Sequence, residues 1–421
     1  MLYQLREGQR SLVQPLSDWA ASMFKLYGNP HSVMSYVPFS SNIAAGFELL
    51  HRLGKEYGKP PFDLPQTVVD GHEVPVTEKV VIDKPFCKLI RFERHLPASI
   101  AQQHADDPVV LIVAPLSGHH ATLLRDTVRA MLPDNQVYIT DWVDARNVPV
   151  SEGPFHLHDY IAYVIEFIRH LGPDVHLLSV CQPTVPVMAA VSIMATLDDP
   201  MQPLSMTMMG GPIDTRKSPT EVNNLATDHS FEWFEMNVIH AVPRKYPGAG
   251  RRVYPGFLQH AGFVAMNPDR HVNSHWDFYK NLIRGDLDDA DAHRKFYDEY
   301  NAVLDLPAEY YLDTIRIVFQ EFHLPRGIWD VPFEGKKIRV NPADIRRTAL
   351  FTIEGELDDI SGIGQTRAAH ELCKNIPAAH QRHLEAQGAG HYGIFSGRRW
   401  REIIYPQVRE FIARHRERIA A

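Results

Sequence analysis

Cys181 stands where a strand gives way to a helix, and that position makes its thiol a candidate nucleophile. Residues 175–180, VHLLSV, are a short apolar run of the kind that fills a buried strand. Beyond Cys181 the period changes: Val185, Met188, Ala189, Ser192 and Ile193 recur at spacings of three and four, which predicts a helix. A sharp turn at this point presents the side chain at its tip, and the helix N-terminus behind it favours thiolate over thiol. The turn reads Ser179-x-Cys181-x-Pro183, where a nucleophile elbow normally has glycine at both flanks. Ser179 is small, and proline is tolerated in a first helical turn because the N–H there has no intrahelical partner. The competing reading is an inert buried cysteine, the usual fate of a free thiol.

A thiol nucleophile needs a base, and the base needs a group to orient it. Two later loops offer both. The apolar run TALFTIEGE is followed by Leu357, Asp358 and Asp359, and Asp358, third after Gly355, is preferred to Asp359. The run QRHLEAQ is followed by GAGHYGIF, which places His391 in a glycine-rich turn. Nucleophile, acid and histidine, in that order and each after a strand, follow the α/β-hydrolase pattern. His391 then takes the Cys181 proton, and Asp358 fixes the imidazole tautomer. The oxyanion formed on carbonyl attack is met by the backbone N–H of Gln182 and by one from the loop after PVVLIVAPL, at Leu116 or Ser117. His119 and His120 follow at the mouth, either as substrate contacts or as solvated loop residues. His271 and His275 have the spacing of helical metal ligands but no accompanying glutamate as in H-E-x-x-H, so no metal site is expected.

The elements that must position these groups are legible in outline. Residues 1–60 read as helices whose apolar stripes either lie on an apolar surface or pack on the domain. Ser40 and Ser41 are candidate caps for the second of them. Residues 66–95 alternate like antiparallel strands. From 108 to 214 strands and helices alternate, which implies a parallel sheet with right-handed crossovers. The alternation stops near 217 and resumes at 346. The expected architecture is an α/β-hydrolase core, residues 1–216 and 346–421, with a helical, aromatic-rich lid at 217–345 in which no strands are expected. Trp233, Phe257, Phe263, Trp276 and Tyr310 either dock an apolar chain or form the lid's own core.

Composition narrows the class. A formal net charge of -8 argues against general nucleic-acid binding. No apolar run reaches the roughly 18 residues of a membrane span. The first residues, MLYQLREGQRSLVQP, carry charge where a signal peptide has its apolar core. The 3 cysteines are far apart and form neither a disulfide framework nor a zinc pattern. A reducing, cytoplasmic setting is expected.

The sequence resembles the intracellular poly(3-hydroxybutyrate) depolymerases over nearly its whole length. The stretches that carry the likeness are SVCQPTVPVMAAVS, MGGPIDTRKSPTEVN, VYPGFLQHAGFVAMNPDRH, FYDEYNAVLDLPAEYYL, EGELDDISGIGQT and GHYGIFSGRRW. The resemblance implies a cysteine-type α/β-hydrolase, with Cys181 as nucleophile, Asp358 as acid and His391 as base. It implies an amorphous polyester as substrate, a water-insoluble granule as partner and a cytoplasmic, granule-associated location. No cofactor is implied, although coenzyme A would be the acyl acceptor if the enzyme were thiolytic. Rival readings are a thioesterase, a polyester synthase and a non-catalytic granule-coat protein. A synthase elbow reads G-x-C-x-G, from which Ser179 and Pro183 depart.

Overall fold

The fully apolar segments and the alternating ones take different places in a single sheet. In the computed structural model, which describes residues 2–266, 268–417 and 419, nine strands pair in the order β1-β2-β3-β5-β4-β6-β7-β13-β14. The first three are β1 (Gln66–Val69), β2 (His72–Asp83) and β3 (Cys87–Arg94), an antiparallel meander that joins β5 (Gln136–Trp142). From β5 onward every neighbour is parallel: β4 (Val109–Val113), β6 (Val175–Val180), β7 (Ser205–Met209), β13 (Ala349–Gly355) and β14 (Gln381–Ala386).

Burial follows sequence. Every residue of β6, β7 and β13 is buried, as expected for parallel strands covered on both faces, whereas β2 alternates and leaves one face to water. The chain passes from β3 to β4 by skipping the place that β5 later fills, so the strand order reverses there. Loops at the carboxyl ends of such strands form the crevice where ligands bind in open α/β sheets. This topology is that of an α/β-hydrolase.

Helices cover the sheet. Residues 1–60 supply two: α1 (Leu2–Gly28) and α2 (Ser40–Gly54). The cap of α2 is Phe39, in the left-handed region at φ 63, rather than either serine. On the sheet itself lie α3 (Leu157–Leu171), which buries Tyr160, Ile161, Val164, Ile165 and Ile168, and α4 (Thr184–Thr196), buried on nearly every face. After β13 the chain makes only a one-turn helix, Ala369–Leu372, before β14.

Between β7 and β13 the chain builds a cap. Its helices include Gly256–Met266, Pro268–Arg284 and Leu287–Tyr300. It also contains strands, which corrects the expectation of none. β8 (His240–Ala241), β9 (Arg252–Tyr254) and β10 (Leu306–Pro307) form one small sheet, and β11 (Asp330–Phe333) pairs with β12 (Lys336–Arg339). Runs of two to four residues are too short to show a period of two. The β11–β12 hairpin did carry a signal: Glu334-Gly335 takes φ 50 and 74, the positive values a two-residue hairpin turn requires.

α1 and α2 pack on each other and are fastened to the cap by polar contacts. Tyr3 donates to Asp305 at 2.6 Å, Arg294 grips Glu48 through two nitrogens at 2.6 and 2.7 Å, and Arg52 meets Asp298 at 2.9 Å. Lys245 pairs with Glu7. Among the described residues no helix is long and apolar enough to cross a membrane.

Candidate active site

The turn after β6 holds Cys181 at φ 68, a left-handed conformation that costs a non-glycine residue on the order of 1 kcal/mol or more. The surroundings enforce it. The Cys181 N–H donates to Met209 O at the end of β7, at 2.7 Å, and its carbonyl accepts from the Thr184 N–H at 3.2 Å and the Thr184 hydroxyl at 3.0 Å. Pro183 sits at the N-cap of α4, where its missing N–H costs nothing.

The glycines absent from the elbow reappear on the neighbouring strand. A Cβ on Gly211 would lie 1.9 Å from the Thr184 hydroxyl oxygen, so only glycine lets α4 begin this close to β7. Gly210 has φ 54, and a Cβ there would come within 2.7 Å of Ile394, 3.2 Å of Asp358 Oδ2 and 3.3 Å of His391 Cε1. Cys181 is thus hydrogen-bonded to Met209, and Gly210, which follows β7, leaves no room for a side chain beside the other two triad candidates. Sequence reasoning did not single out Gly210 or Gly211, although the Gly-Gly pair at a strand end was the available signal. Gly210→Ala is expected to lower turnover by at least tenfold. The added methyl both strains a left-handed backbone and displaces the acid–base pair. Steady-state kinetics beside a circular dichroism spectrum checks this.

Asp358 and His391 lie side by side. His391 Nδ1 lies 2.8 Å from Asp358 Oδ2, and the carboxylate is fully buried. The other oxygen, Oδ1, accepts from the backbone N–H groups of Ile360 at 2.9 Å and Ser361 at 2.8 Å. Asp359 is exposed on the same loop. That loop is itself anchored from below. Buried Glu354, on β13, accepts backbone N–H bonds from Gly364, Thr366 and Arg367 at 2.8 to 3.0 Å. Glu354→Ala should therefore lower unfolding free energy by about 2–4 kcal/mol, read as a shifted denaturation midpoint, because three donors lose their acceptor together.

Burial alone would lower the His391 pKa. The charges of Cys181 and Asp358, and a hydrogen bond to each, override it and raise the imidazole well above its ordinary value. An imidazole so flanked is suited to hold the thiol's proton. Tyr310 and Tyr392 stand close enough to feel the Cys181 charge; burial raises both phenols, and that charge adds to it.

The strand end before Leu116 is pinned. Ala114 N–H donates to the Thr140 hydroxyl at 2.9 Å, and Ala114 O accepts from the Trp142 indole at 2.8 Å and the Tyr160 hydroxyl at 3.3 Å. Among the described residues the backbone N–H groups of Leu116, Ser117 and Gln182 find no protein acceptor. The Gln182 side-chain amide is buried with neither end partnered.

His119 and His120 are both buried rather than solvated. Burial pushes His119 down to about 4, against a hydrogen bond to Tyr300 O at 3.1 Å, and His120 down to about 3, with Lys59 and Arg146 adding to the effect. His119 pairs with Val303 and stacks on Phe263, so it fastens the cap to the candidate oxyanion loop. Phe257 packs on Tyr3, and Tyr310 stacks on Tyr160. Trp233 lies in the cap's own apolar cluster, stacked on His229 at 4.1 Å, and Trp276 is 58% exposed beside Tyr279. Among the described residues no ring contact brings either tryptophan to the candidate triad. His271 spends its Nδ1 on the Tyr297 hydroxyl. His156, His158 and Asp313 bring three donor atoms within 4.8 Å of one another, but His156 and Asp313 already bond at 2.9 Å, and the group lies outside the triad.

Residues 210–416 match a family model described as PHB de-polymerase C-terminus. That part of the chain is similar to this family. The matched region holds the cap, Gly210, Asp358 and His391; Cys181 precedes it. No curated protein matches the chain. Solved structures similar to it include a 2-hydroxy-6-oxo-6-phenylhexa-2,4-dienoate hydrolase from a Rhodococcus species, at 12% identity over 81% of this chain and 99% of that one, TM-score 0.44. A monoacylglycerol lipase from Paleococcus ferrophilus matches at 13% identity over 73% of this chain and 94% of that one, TM-score 0.41. A thermophilic esterase from Thermogutta terrifontis matches at 10% identity over 84% of this chain and 98% of that one, TM-score 0.39. An ester hydrolase is the activity that the family match supports.

Proposed function

We propose that the protein is a depolymerase that hydrolyses the ester bonds of amorphous poly(3-hydroxybutyrate) through Cys181, His391 and Asp358. The observation that carries this reading is the 2.8 Å His391–Asp358 bond, with the Cys181 turn tied to Met209 O and the Cys181 charge acting on the His391 imidazole. His391 receives the thiol proton, and the thiolate attacks the ester carbonyl. The backbone N–H groups of Gln182 and of Leu116 or Ser117 are free to receive the oxyanion. Collapse breaks the ester C–O bond, and His391 returns the proton to the departing hydroxyl. Water, deprotonated by the same imidazole, then cleaves the thioester and frees the acid and the thiol.

The neutral, aliphatic character of such a substrate suits a region whose two histidines are held uncharged by burial. No charged partner is required of it. The test is the turbidity of amorphous polyester granules, followed with and without coenzyme A. Clearing in plain buffer supports hydrolysis; clearing that demands coenzyme A moves the assignment to thiolysis. Intact granules in both conditions, with a short soluble ester still cleaved, would leave an esterase of another specificity.

A further inference from the structure

The two N-terminal helices are held to the rest of the protein by the polar contacts already described, Tyr3–Asp305, Glu48–Arg294, Arg52–Asp298 and Glu7–Lys245, and by the Tyr3 ring against Phe257, while many of their larger apolar side chains stay exposed. Leu12 is 81% exposed, Leu5 57%, Trp19 49% and Leu53 65%. The face does not end with the helices. In the connection between them Tyr36 is 82% and Phe39 77% exposed, and Phe39 is displayed from a left-handed backbone that a phenylalanine does not adopt without constraint. Monomeric soluble proteins rarely expose contiguous apolar patches beyond a few hundred Å² unless the patch has a use.

We infer that this face of α1, α2 and their connection docks the protein on the surface of the water-insoluble polyester. The inference rests on the proposed substrate and adds to it where the enzyme meets that substrate. Three observations favour a broad uncharged solid as the occupant. The exposed side chains come from two helices and a turn, so they spread over an area rather than along one seam. Large aromatics, Trp19, Tyr36 and Phe39, supply contact area at little entropic cost. The face also runs into a cavity of about 680 Å³: Val13 and Leu53 belong to both, and Phe257, Val264, Val272 and Val303 line it beside the charged Arg6, Glu7, Arg10 and Arg146. Val303 is the residue that pairs with His119 after the candidate oxyanion loop, and the adjoining Leu304 N–H donates to Gly118 O at 2.8 Å. The cavity therefore reaches from the outer face to Val303, beside the candidate oxyanion loop.

A second copy of this chain is the competing occupant, because Leu5, Leu12, Trp19 and Leu26 recur at seven-residue intervals as in a coiled-coil seam. One combined variant separates the two: Leu12→Glu, Tyr36→Glu and Phe39→Asn. All three positions are exposed, and asparagine tolerates the left-handed backbone of position 39. Sedimentation with amorphous poly(3-hydroxybutyrate) granules, clearing of those granules, hydrolysis of soluble p-nitrophenyl butyrate and mass by light scattering are measured on wild type and variant. Docking through this face predicts at least tenfold less sedimentation and clearing by the variant, with unchanged soluble-ester hydrolysis and unchanged mass. Undiminished sedimentation overturns the inference, and so does a halved mass with granule binding intact, which makes the face a dimer interface. If wild type cleaves neither granule nor soluble ester, the functional proposal fails by itself, and the sedimentation difference still decides the docking surface.

Discussion

Cys181→Ala is expected to lower ester hydrolysis by about 10⁴-fold or more, because residues of a triad act as a unit and the bond-forming atom is gone. The variant should stay folded. The thiol is only partly buried, and alanine inherits the same left-handed backbone that cysteine already bears at φ 68. Loss of activity with unchanged thermal unfolding is the expected pair of results; an unfolded variant would show that the thiol is a packing residue. Cys181→Ser should also be strongly impaired, since a hydroxyl surrenders its proton less readily. Alkylation gives an independent measurement. Cys87 and Cys373 are buried, and burial pushes both thiols up, so neither offers accessible thiolate. Iodoacetamide should label Cys181 alone, abolish activity in step with labelling, and be slowed by substrate. Labelling confined to the other two cysteines, with activity kept, would falsify the assignment.

Asp358→Asn is expected to cost about 10⁴-fold in kcat while Asp359→Asn changes it less than twofold. The amide can still accept from Ile360 and Ser361 through its oxygen, so the loop keeps its shape. Its NH₂ then faces His391 Nδ1 and reverses the hydrogen bond, which leaves the imidazole in the wrong tautomer and without a neighbouring negative charge. Asp359 is exposed on the same loop and has no such partner to lose. Equal effects from the two substitutions, or a large loss confined to Asp359, would move the acid by one residue.

The candidate catalytic residues were the legible part because each is marked by a change of local pattern. Cys181 sits where period two gives way to three and four, Asp358 follows the apolar run of β13, and His391 lies in a glycine-rich turn. Backbone periodicity is a short-range property, so a strand and the loop after it can be read without knowing their neighbours. The parallel sheet was legible for the same reason: uninterrupted apolar runs such as β6 and β13 have no polar face to give to water.

What the chain order could not decide is which strands lie side by side, since pairing is settled by long-range packing. Only the fold puts Gly210 and Gly211 against Thr184, Asp358 and His391, and so explains how an elbow without glycines is accommodated. Only the fold turns His119 and His120 inward, where burial keeps them neutral, and leaves Trp233 and Trp276 with the cap instead of the site. The N-terminal stripes make the same point most simply. Sequence alone determined that α1 and α2 would be amphipathic; tertiary structure decided which positions are exposed, because ion pairs and the buried Tyr3–Asp305 bond fix how the helices sit on the protein and leave Leu5, Leu12 and Leu53 to water.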